Sequence, residues 1–277
     1  MLSLQTNSLS LFAQNAMTVN QQNVANDVQQ LSSGYRINTA ANDPAGLQDA
    51  TLMQSQVNGL NQGVMNANDA ASMAQTASGA LTSVVNMLQQ MRTLAVEANN
   101  STTSSADATN LQSEFTALSS EITSIVSQTQ YNGITMFGTN GLSSATFQVG
   151  ANSGNTITIT TGSASLNSSD ALSTAIGSTL SAGNSGSVIT NVDSALNEVL
   201  GIEAKWGAGQ IQAQQAAAVG QVDSQNLASA RSQIIDTNYA QASSALSQAQ
   251  VVQQASATML TQANTLPQTV LTLLKNF

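Results

Sequence analysis

The sequence predicts a mainly α-helical fold: a long antiparallel helical bundle with a terminal coiled coil and a small β-hairpin region. In residues 239–277, apolar and small residues alternate at spacings of three and four without a slip, which is typical of a coiled coil. Two central segments, 44–98 and 187–236, keep a helical pattern over very long runs. Short alternating runs between residues 134 and 160 indicate strands.

The composition excludes several classes of function. Only 7% of the residues are charged, against about 25% in an average domain, and the 5 basic residues are too few for a nucleic-acid surface. The chain has no Cys and no His, which removes thiol nucleophiles, the usual zinc ligands and the commonest general base. We therefore expect no enzyme activity, no catalytic or metal site and no cofactor. No apolar run approaches the roughly 18 residues of a membrane span, so no membrane insertion is expected.

The first predicted helix covers residues 3–32, and Asp27 is its one ionisable side chain. Gly34 is a predicted helix stop, and Asp43 followed by Pro44 is a predicted helix start. The loop between them is either a connector or a contact between protomers. The inward positions predicted for this helix are Leu9, Phe12, Ala16 and Val19 and, after a shift of one residue, Val24, Val28 and Leu31.

The middle of the chain predicts a rod of helices with strands at one end. Segment 44–98 reads as one helix and 106–129 as a second, with Leu118 among the inward residues of the latter. Strands are predicted at 134–137, 146–149 and 156–160. The Ser- and Gly-rich segment 163–186 is predicted to be a variable surface loop that contains a possible short helix with Leu172, Ile176 and Leu180. The helix 187–236 repeats inward residues every seven positions, and we interpret Trp206 as its core anchor.

The last helix has an unusual composition, because no charged residue lies between Tyr239 and Lys275. A solvated helix usually carries charges opposite its apolar side. This helix is therefore either an ordinary bundle helix or one built for burial among copies of itself. Its predicted inward positions are Ala242, Ala245, Ala249, Val252, Ser256, Met259, Ala263, Leu266, Val270 and Leu273.

Several short segments, taken together and in order, resemble the bacterial flagellins, in a short form without large outer domains. The resemblance covers about residues 3–162 and 190–275, and each motif alone is weak. The segments are Asn7–Leu11, Leu31–Asn38, Asn66–Asp69, Ala74–Thr76, Leu94–Val96, Gln128–Gly133, Gln148–Asn152, Ala230–Ile234, Gln262–Asn264, Pro267–Gln268 and Val270–Leu271.

The resemblance implies a structural subunit that self-assembles into the extracellular flagellar filament used for motility. It implies export without a cleaved signal peptide, and as partners other copies of the chain, the export apparatus, a secretion chaperone, the filament cap and hook-junction proteins. The implied domains are a filament core (1–40 plus 240–277), a rod with β-hairpins (41–162 plus 187–239) and the loop 163–186. The implied filament-core residues are Leu9, Phe12, Val19, Val28, Leu31, Val252, Met259, Leu266, Val270 and Leu273, and the implied inter-subunit loop residues are Arg36 and Asn38.

The resemblance also implies a candidate surface for an animal Toll-like innate receptor, at Gln89, Gln90, Leu94 and Glu114. Gln90 stands where the family carries an arginine, and glutamine cannot reproduce the planar, charged contacts of that side chain. We therefore expect weak recognition.

Two alternatives to a filament subunit remain: a hook–filament junction protein and a non-flagellar secreted coiled-coil module. A protease in the central insertion, as some family members carry, needs a His-containing metal site, and this chain has no His and no room for it.

Overall fold

The computed structural model describes residues 7–138, 141–160 and 171–275, and the side chains of 270, 271 and 273–275 lie outside that description. The described helices are α1 (Ser8–Ser33), α2 (Pro44–Ala98), α3 (Ser105–Gln128), α4 (Ala171–Ile176), α5 (Gly186–Ile235) and α6 (Tyr239–Lys275). The described strands are β1 (Gln130–Tyr131), β2 (Ile134–Thr135), β3 (Ser144–Gln148) and β4 (Thr156–Thr160). The predicted fold class is confirmed, and the ends of the long helices lie within a residue or two of prediction except at the start of α1.

The chain forms two compact units whose boundaries fall within α2 and α5. One consists of Met1–Ser55 and Asn226–Phe277, and the other is Gln56–Gln225. The domain assignment made from the sequence stays a prediction.

In the first unit, the helix ends follow from local chemistry. The Asn7 side chain caps α1 by accepting a hydrogen bond from the Ser10 amide at 3.1 Å. Gly34 ends the helix in the left-handed region at φ 77°, and its amide donates to the Gln30 carbonyl at 2.9 Å. The Asp43 carboxylate accepts from the Gly46 amide at 3.0 Å, directly before Pro44 opens α2. The predicted helix stop and start are both confirmed.

The pairing of α1 with α6 is antiparallel. The Asn7 amide group, at the start of α1, donates to the Ala263 carbonyl, and Asn20 donates to the Ala249 carbonyl. Beyond the end of α1, the Thr237 amide donates to the Gly34 carbonyl at 2.9 Å. A small core of Ile37, Ala50 and Ile235 lies in the same unit.

The second unit is held by one core shared by α2, α3, α4, α5 and the strands. Trp206 is fully buried, which fits its predicted role as an anchor. Leu118 is only half-buried, while its neighbours Phe115 and Ile122 are fully buried, so the inward face of α3 is turned slightly from the predicted one. Other fully buried large side chains of this core are Phe137, Leu81, Leu88, Met91, Met136 and Leu172.

The segment predicted as a surface loop is partly built into this core. Residues 163–170 lie outside the described part of the chain. From residue 171 onward, Leu172 of α4 is fully buried and Leu180 is 5% exposed. The Leu180 amide donates to the Gln112 side chain at 2.6 Å, which ties the segment to α3. Leu172 and Leu180, eight residues apart, therefore anchor in the core a segment whose Ser- and Gly-rich composition indicates a loop.

The β3–β4 hairpin is antiparallel and approaches the long helices closely where they carry glycine. A Cβ atom added at Gly63 of α2 would lie 2.3 Å from the Val149 carbonyl oxygen, and one at Gly209 of α5 would lie 2.7 Å from the Ile159 side chain. The Asn66 side chain donates to the Gln148 carbonyl at 2.8 Å beside this contact. The absence of a side chain at Gly63 is therefore required for the hairpin to seat on α2.

We expect Gly63→Ala to lower stability by about 1–3 kcal/mol, because the hairpin backbone must move away from the new methyl group. The matched control is Gly79→Ala in the same helix, where an added Cβ meets nothing within 4 Å. That control should raise stability by about 0.5–1 kcal/mol through helix propensity. Thermal unfolding followed by circular dichroism measures both, and equal effects of the two substitutions would contradict the contact.

Candidate functional site

The candidate site is the α1–α6 helix pair, because the filament-core residues implied by the sequence lie on these two helices. Along α1, the buried or half-buried positions at heptad spacing are Ser10, Ala13, Met17, Asn20, Val24, Asp27 and Leu31, and Gln30 is half-buried beside them. Along α6, they are Ala242, Leu246, Ala249, Gln253, Ser256, Leu260 and Ala263, and Ala245, Ala257 and Pro267 are half-buried as well. Both sets alternate three and four without a slip, so the pair has the spacing of a coiled coil.

This register differs from the predicted one by a single residue in part of each helix. In α1, the shift predicted before Val24 does not occur, and Leu9, Phe12 and Val19 are 56%, 74% and 57% exposed. In α6, the positions Ala242, Ala249, Ser256 and Ala263 are confirmed as inward. Three other predicted positions are not inward: Val252, Met259 and Leu266 are 44%, 67% and 39% exposed. Ala245 is half-buried, like Leu246 and Ser256.

The physical reason is the size of the residues at the contact. The distance between two packed helices depends on the side chains between them, and Ala and Ser allow a close approach. Phe12 and Met259 lie beside the contact, while Met17, Leu246 and Leu260 are among its half-buried positions. The predicted column of α1 followed Leu9, Phe12 and Val19, whereas the column at the contact includes the small or polar residues Ser10, Ala13 and Asn20.

Two asparagines connect the helices across the contact. Asn20 is 7% exposed, and its amide nitrogen donates to the Ala249 carbonyl oxygen at 2.8 Å. Asn7 donates to the Ala263 carbonyl oxygen at 2.9 Å, two heptads along α6. The sequence prediction missed both residues, although an unbroken heptad from Ser10 to Leu31 would have placed Asn20 inward.

A groove of about 520 Å³ follows one side of the pair and is almost wholly apolar. It is lined by Leu9, Phe12, Ala13, Ala16, Val252, Ala255, Ser256, Met259, Gln262, Ala263 and Leu266. No charged side chain is among them. The groove therefore gathers five of the predicted filament-core residues: Leu9, Phe12, Val252, Met259 and Leu266.

The other predicted filament-core residues are not in the groove lining. Val19 and Val28 are exposed elsewhere on α1, and Leu31 is half-buried near its end. The side chains of Val270 and Leu273 lie outside the described part of the chain.

The predicted inter-subunit loop has its main polar partners within the chain. The Arg36 guanidinium donates to the Ile234 carbonyl, and the backbone amide of Arg36 donates to the Ile235 carbonyl at 2.7 Å. The Asn38 side chain donates to the Ser33 hydroxyl at 2.6 Å. The Arg36 bonds hold the loop against the end of α5 and the Asn38 bond holds it against the end of α1, and the inter-subunit role of the loop stays a prediction.

The candidate receptor surface is only partly accessible. Gln89, Gln90 and Glu114 are exposed, whereas Leu94 is 8% exposed and packs in the core. Leu94 is therefore positioned to support the helices rather than to contact a partner.

An ion pair lies close to this surface. Arg92 of α2 pairs with Asp193 of α5 at 2.6 Å. The hydrogen bond that Arg92 donates to the Asp193 carboxylate, followed by the negative charge of that carboxylate, raises the pKa of the Arg92 guanidinium. The pair is exposed to solvent, so its contribution to stability is small.

The described residues lack two other kinds of site. They contain no group of three or more His, Cys, Asp or Glu side chains that could hold a metal ion. None of the described helices is long and apolar enough to cross a membrane.

The fold and the groove define a class: a helical structural protein whose terminal helices pair and leave an apolar surface uncovered. A family model described as the bacterial flagellin N-terminal helical region matches residues 4–141, and one described as the C-terminal helical region matches residues 189–274. The chain belongs to the bacterial flagellin family.

Individual relatives agree with this assignment over part of their length. The flagellin of Escherichia coli (strain K12) is 42% identical over 156 residues, which are 56% of this chain and 31% of that protein. Phase 1 flagellin of Salmonella naestved is 41% identical over 156 residues, or 56% of this chain and 30% of that protein. The crystal structure of Bacillus cereus flagellin matches with a TM-score of 0.48 at 28% identity, covering 56% of this chain and 88% of that one. The matched region thus spans about a third of the curated relatives' length.

We expect Asn20→Leu to leave the helix content unchanged but to loosen the register of α1 on α6. A buried asparagine in a coiled coil favours the one alignment that satisfies its amide, whereas leucine fits several. Because the chain has no Cys, introduced cysteine pairs can report the alignment without interference. Ala13→Cys with Ser256→Cys probes the observed register, and Ala13→Cys with Ala263→Cys probes a shift of one heptad.

In Asn20→Leu, the ratio of intramolecular cross-linking in the shifted pair to that in the in-register pair should rise severalfold. Gln22→Leu, at an exposed position of α1, is the matched control and should leave the ratio unchanged. An unchanged ratio in Asn20→Leu would show that the small-residue contact alone sets the register.

Proposed function

We propose that this chain is a structural subunit that self-assembles into the extracellular filament of the bacterial flagellum, which is used for motility. The observation that carries the proposal is the uncharged apolar groove on the α1–α6 pair, in a chain of the flagellin family. The occupant of the groove is another copy of the chain.

The energetics favour burial of this groove. Phe12 and Met259 are 74% and 67% exposed, and covering a large apolar side chain contributes about 1.5–3 kcal/mol. Between Tyr239 and Lys275 no charge has to be removed from water when α6 is covered. A contiguous exposed apolar surface of this kind marks an interaction site.

The geometry favours an extended polymer over a closed dimer. The groove is lined by residues of one chain, and a groove cannot fill a second groove, so another copy would cover it with a different surface. A contact between two different surfaces of identical subunits repeats from copy to copy, and it forms a helical filament when the rotation does not close.

The finer parts of the proposal follow from the family. The subunit is exported without a cleaved signal peptide by the flagellar export apparatus, with a secretion chaperone. It is added beneath a filament cap and meets hook-junction proteins at the base. Segments 1–40 and 240–277 form the filament core, and Arg36 and Asn38 lie in a loop between subunits.

We expect Phe12→Glu to abolish assembly while preserving the fold of the single chain. The side chain is exposed before assembly, but in the polymer the new carboxylate would be buried in the apolar groove without a partner. Gln22→Glu adds the same charge to an exposed position of α1 outside the groove, and it should retain most assembly. Pelleting assays and electron microscopy of concentrated protein measure polymer formation.

The two variants separate the groove from a general effect of charge. Equal loss of assembly in both would show that any added charge on α1 blocks polymerisation. Normal filaments from Phe12→Glu would refute the groove as the contact. Discrete particles from the unmodified chain would refute the filament subunit itself.

We also propose that Gln90 weakens recognition by a Toll-like innate receptor, on a surface that includes the exposed Gln89 and Glu114. Gln90→Arg should increase signalling by unassembled protein in a reporter-cell assay. An arginine at a central interface position should raise the affinity for the receptor by up to roughly thirtyfold. Gln75→Arg, an exposed glutamine elsewhere on α2, is the matched control. Strong signalling by the unmodified chain that Gln90→Arg leaves unchanged would contradict this assignment.

A further inference from the structure

We propose that Met259 is an oxidation site through which peroxide-class oxidants block assembly of the free subunit. The inference rests on the proposed function, because it concerns the same groove. It adds a chemical modification that changes the groove from apolar to polar.

The exposure of Met259 is the first observation. At 67%, it is the most exposed methionine in the described part of the chain, followed by Met65 at 53%. Met73, Met91 and Met136 are at most 3% exposed. Of the methionines, Met259 is the one that lines the groove.

The second observation is the absence of competing side chains. The sequence contains no Cys, so no thiol reacts first with the oxidant. It contains one Trp, Trp206, which is fully buried. Two-electron oxidation of the free chain is therefore directed to exposed thioether sulfurs.

The reaction is a transfer of one oxygen atom. The Met259 sulfur attacks one oxygen of hydrogen peroxide, the O–O bond breaks and an S–O bond forms. After proton transfer the second oxygen leaves as water. The sulfur is oxidised to the sulfoxide and the peroxide is reduced to water, so no further reactant is needed. Methionine sulfoxide reductases reverse the product.

The groove is poorly suited to accept the sulfoxide. Its oxygen is a hydrogen-bond acceptor, and the groove lining offers only two polar side chains, Ser256 and Gln262. Phe12, Val252 and Leu266 supply apolar surface on which a polar oxygen loses its water without a partner. We therefore expect oxidation to raise the critical concentration for assembly by about tenfold or more.

The reactivity is tested on the unassembled full-length chain with limiting hydrogen peroxide, followed by peptide mass spectrometry. Met259 and Met65 should be oxidised well before Met73, Met91 and Met136. In the polymer, Met259 should be oxidised at least about tenfold more slowly than in the free chain. Slow oxidation of Met259 in the free chain, or equal rates in chain and polymer, would overturn the inference.

The consequence is tested by comparing assembly before and after oxidation, with each protein referred to its own untreated sample. The unmodified chain and Met65→Leu should both lose assembly on oxidation and regain it after treatment with sulfoxide reductases. Met259→Leu should show no oxidation-dependent loss. Loss of assembly in Met259→Leu after oxidation, or full assembly of a chain oxidised at Met259, would overturn the inference.

These arms distinguish the inference from the function on which it rests. If the untreated chain forms no polymer, the proposed function fails and the inference fails with it. If the untreated chain polymerises and oxidation at Met259 has no effect, the inference alone fails.

Discussion

The close contact between α1 and α6 determines most of what is functionally distinctive in this protein. Small residues such as Ala249 and Ala263 lie in the contact, and Asn20 crosses it with a hydrogen bond to the backbone. The large apolar side chains of Phe12 and Met259 lie on the flank of that contact. The same packing that joins the two ends of the chain thus creates the apolar groove that the proposed assembly requires.

The second unit, Gln56–Gln225, also has small residues where two elements meet. Gly63 and Gly209 remove side-chain volume where the β3–β4 hairpin meets the long helices, and the core beyond that point is filled by large residues around Trp206. In both units, small residues determine where elements touch. Large apolar residues such as Trp206 fill the core of the second unit, whereas Phe12 and Met259 lie exposed on α1 and α6.

The sequence predicted the helices and their ends well, because Gly34, Asp43 and Pro44 act locally. It also predicted Trp206 as an anchor, since a seven-residue repeat identifies the inward face of α5. It placed the inward column in the first half of α1 one residue too early, although Val24 and Leu31 were predicted correctly, because burial there depends on the partner helix and admits polar residues such as Asn20. The sequence predicted a possible short helix with Leu172, but the loop-like composition around it did not indicate that Leu172 and Leu180 are buried in the core. The register of a helix pair is a tertiary property that hydrophobicity reports only to within one position.

The asparagine contacts have a consequence for how α6 can vary. Asn7 and Asn20 donate to main-chain carbonyl oxygens, which every amino acid provides. Positions 249 and 263 are consequently restricted by volume and not by chemical identity, so Gly or Ser could replace alanine there without removing either bond. The volume limit at positions 249 and 263 of α6 and the amide groups of Asn7 and Asn20 of α1 thus act together to set the alignment of the two helices.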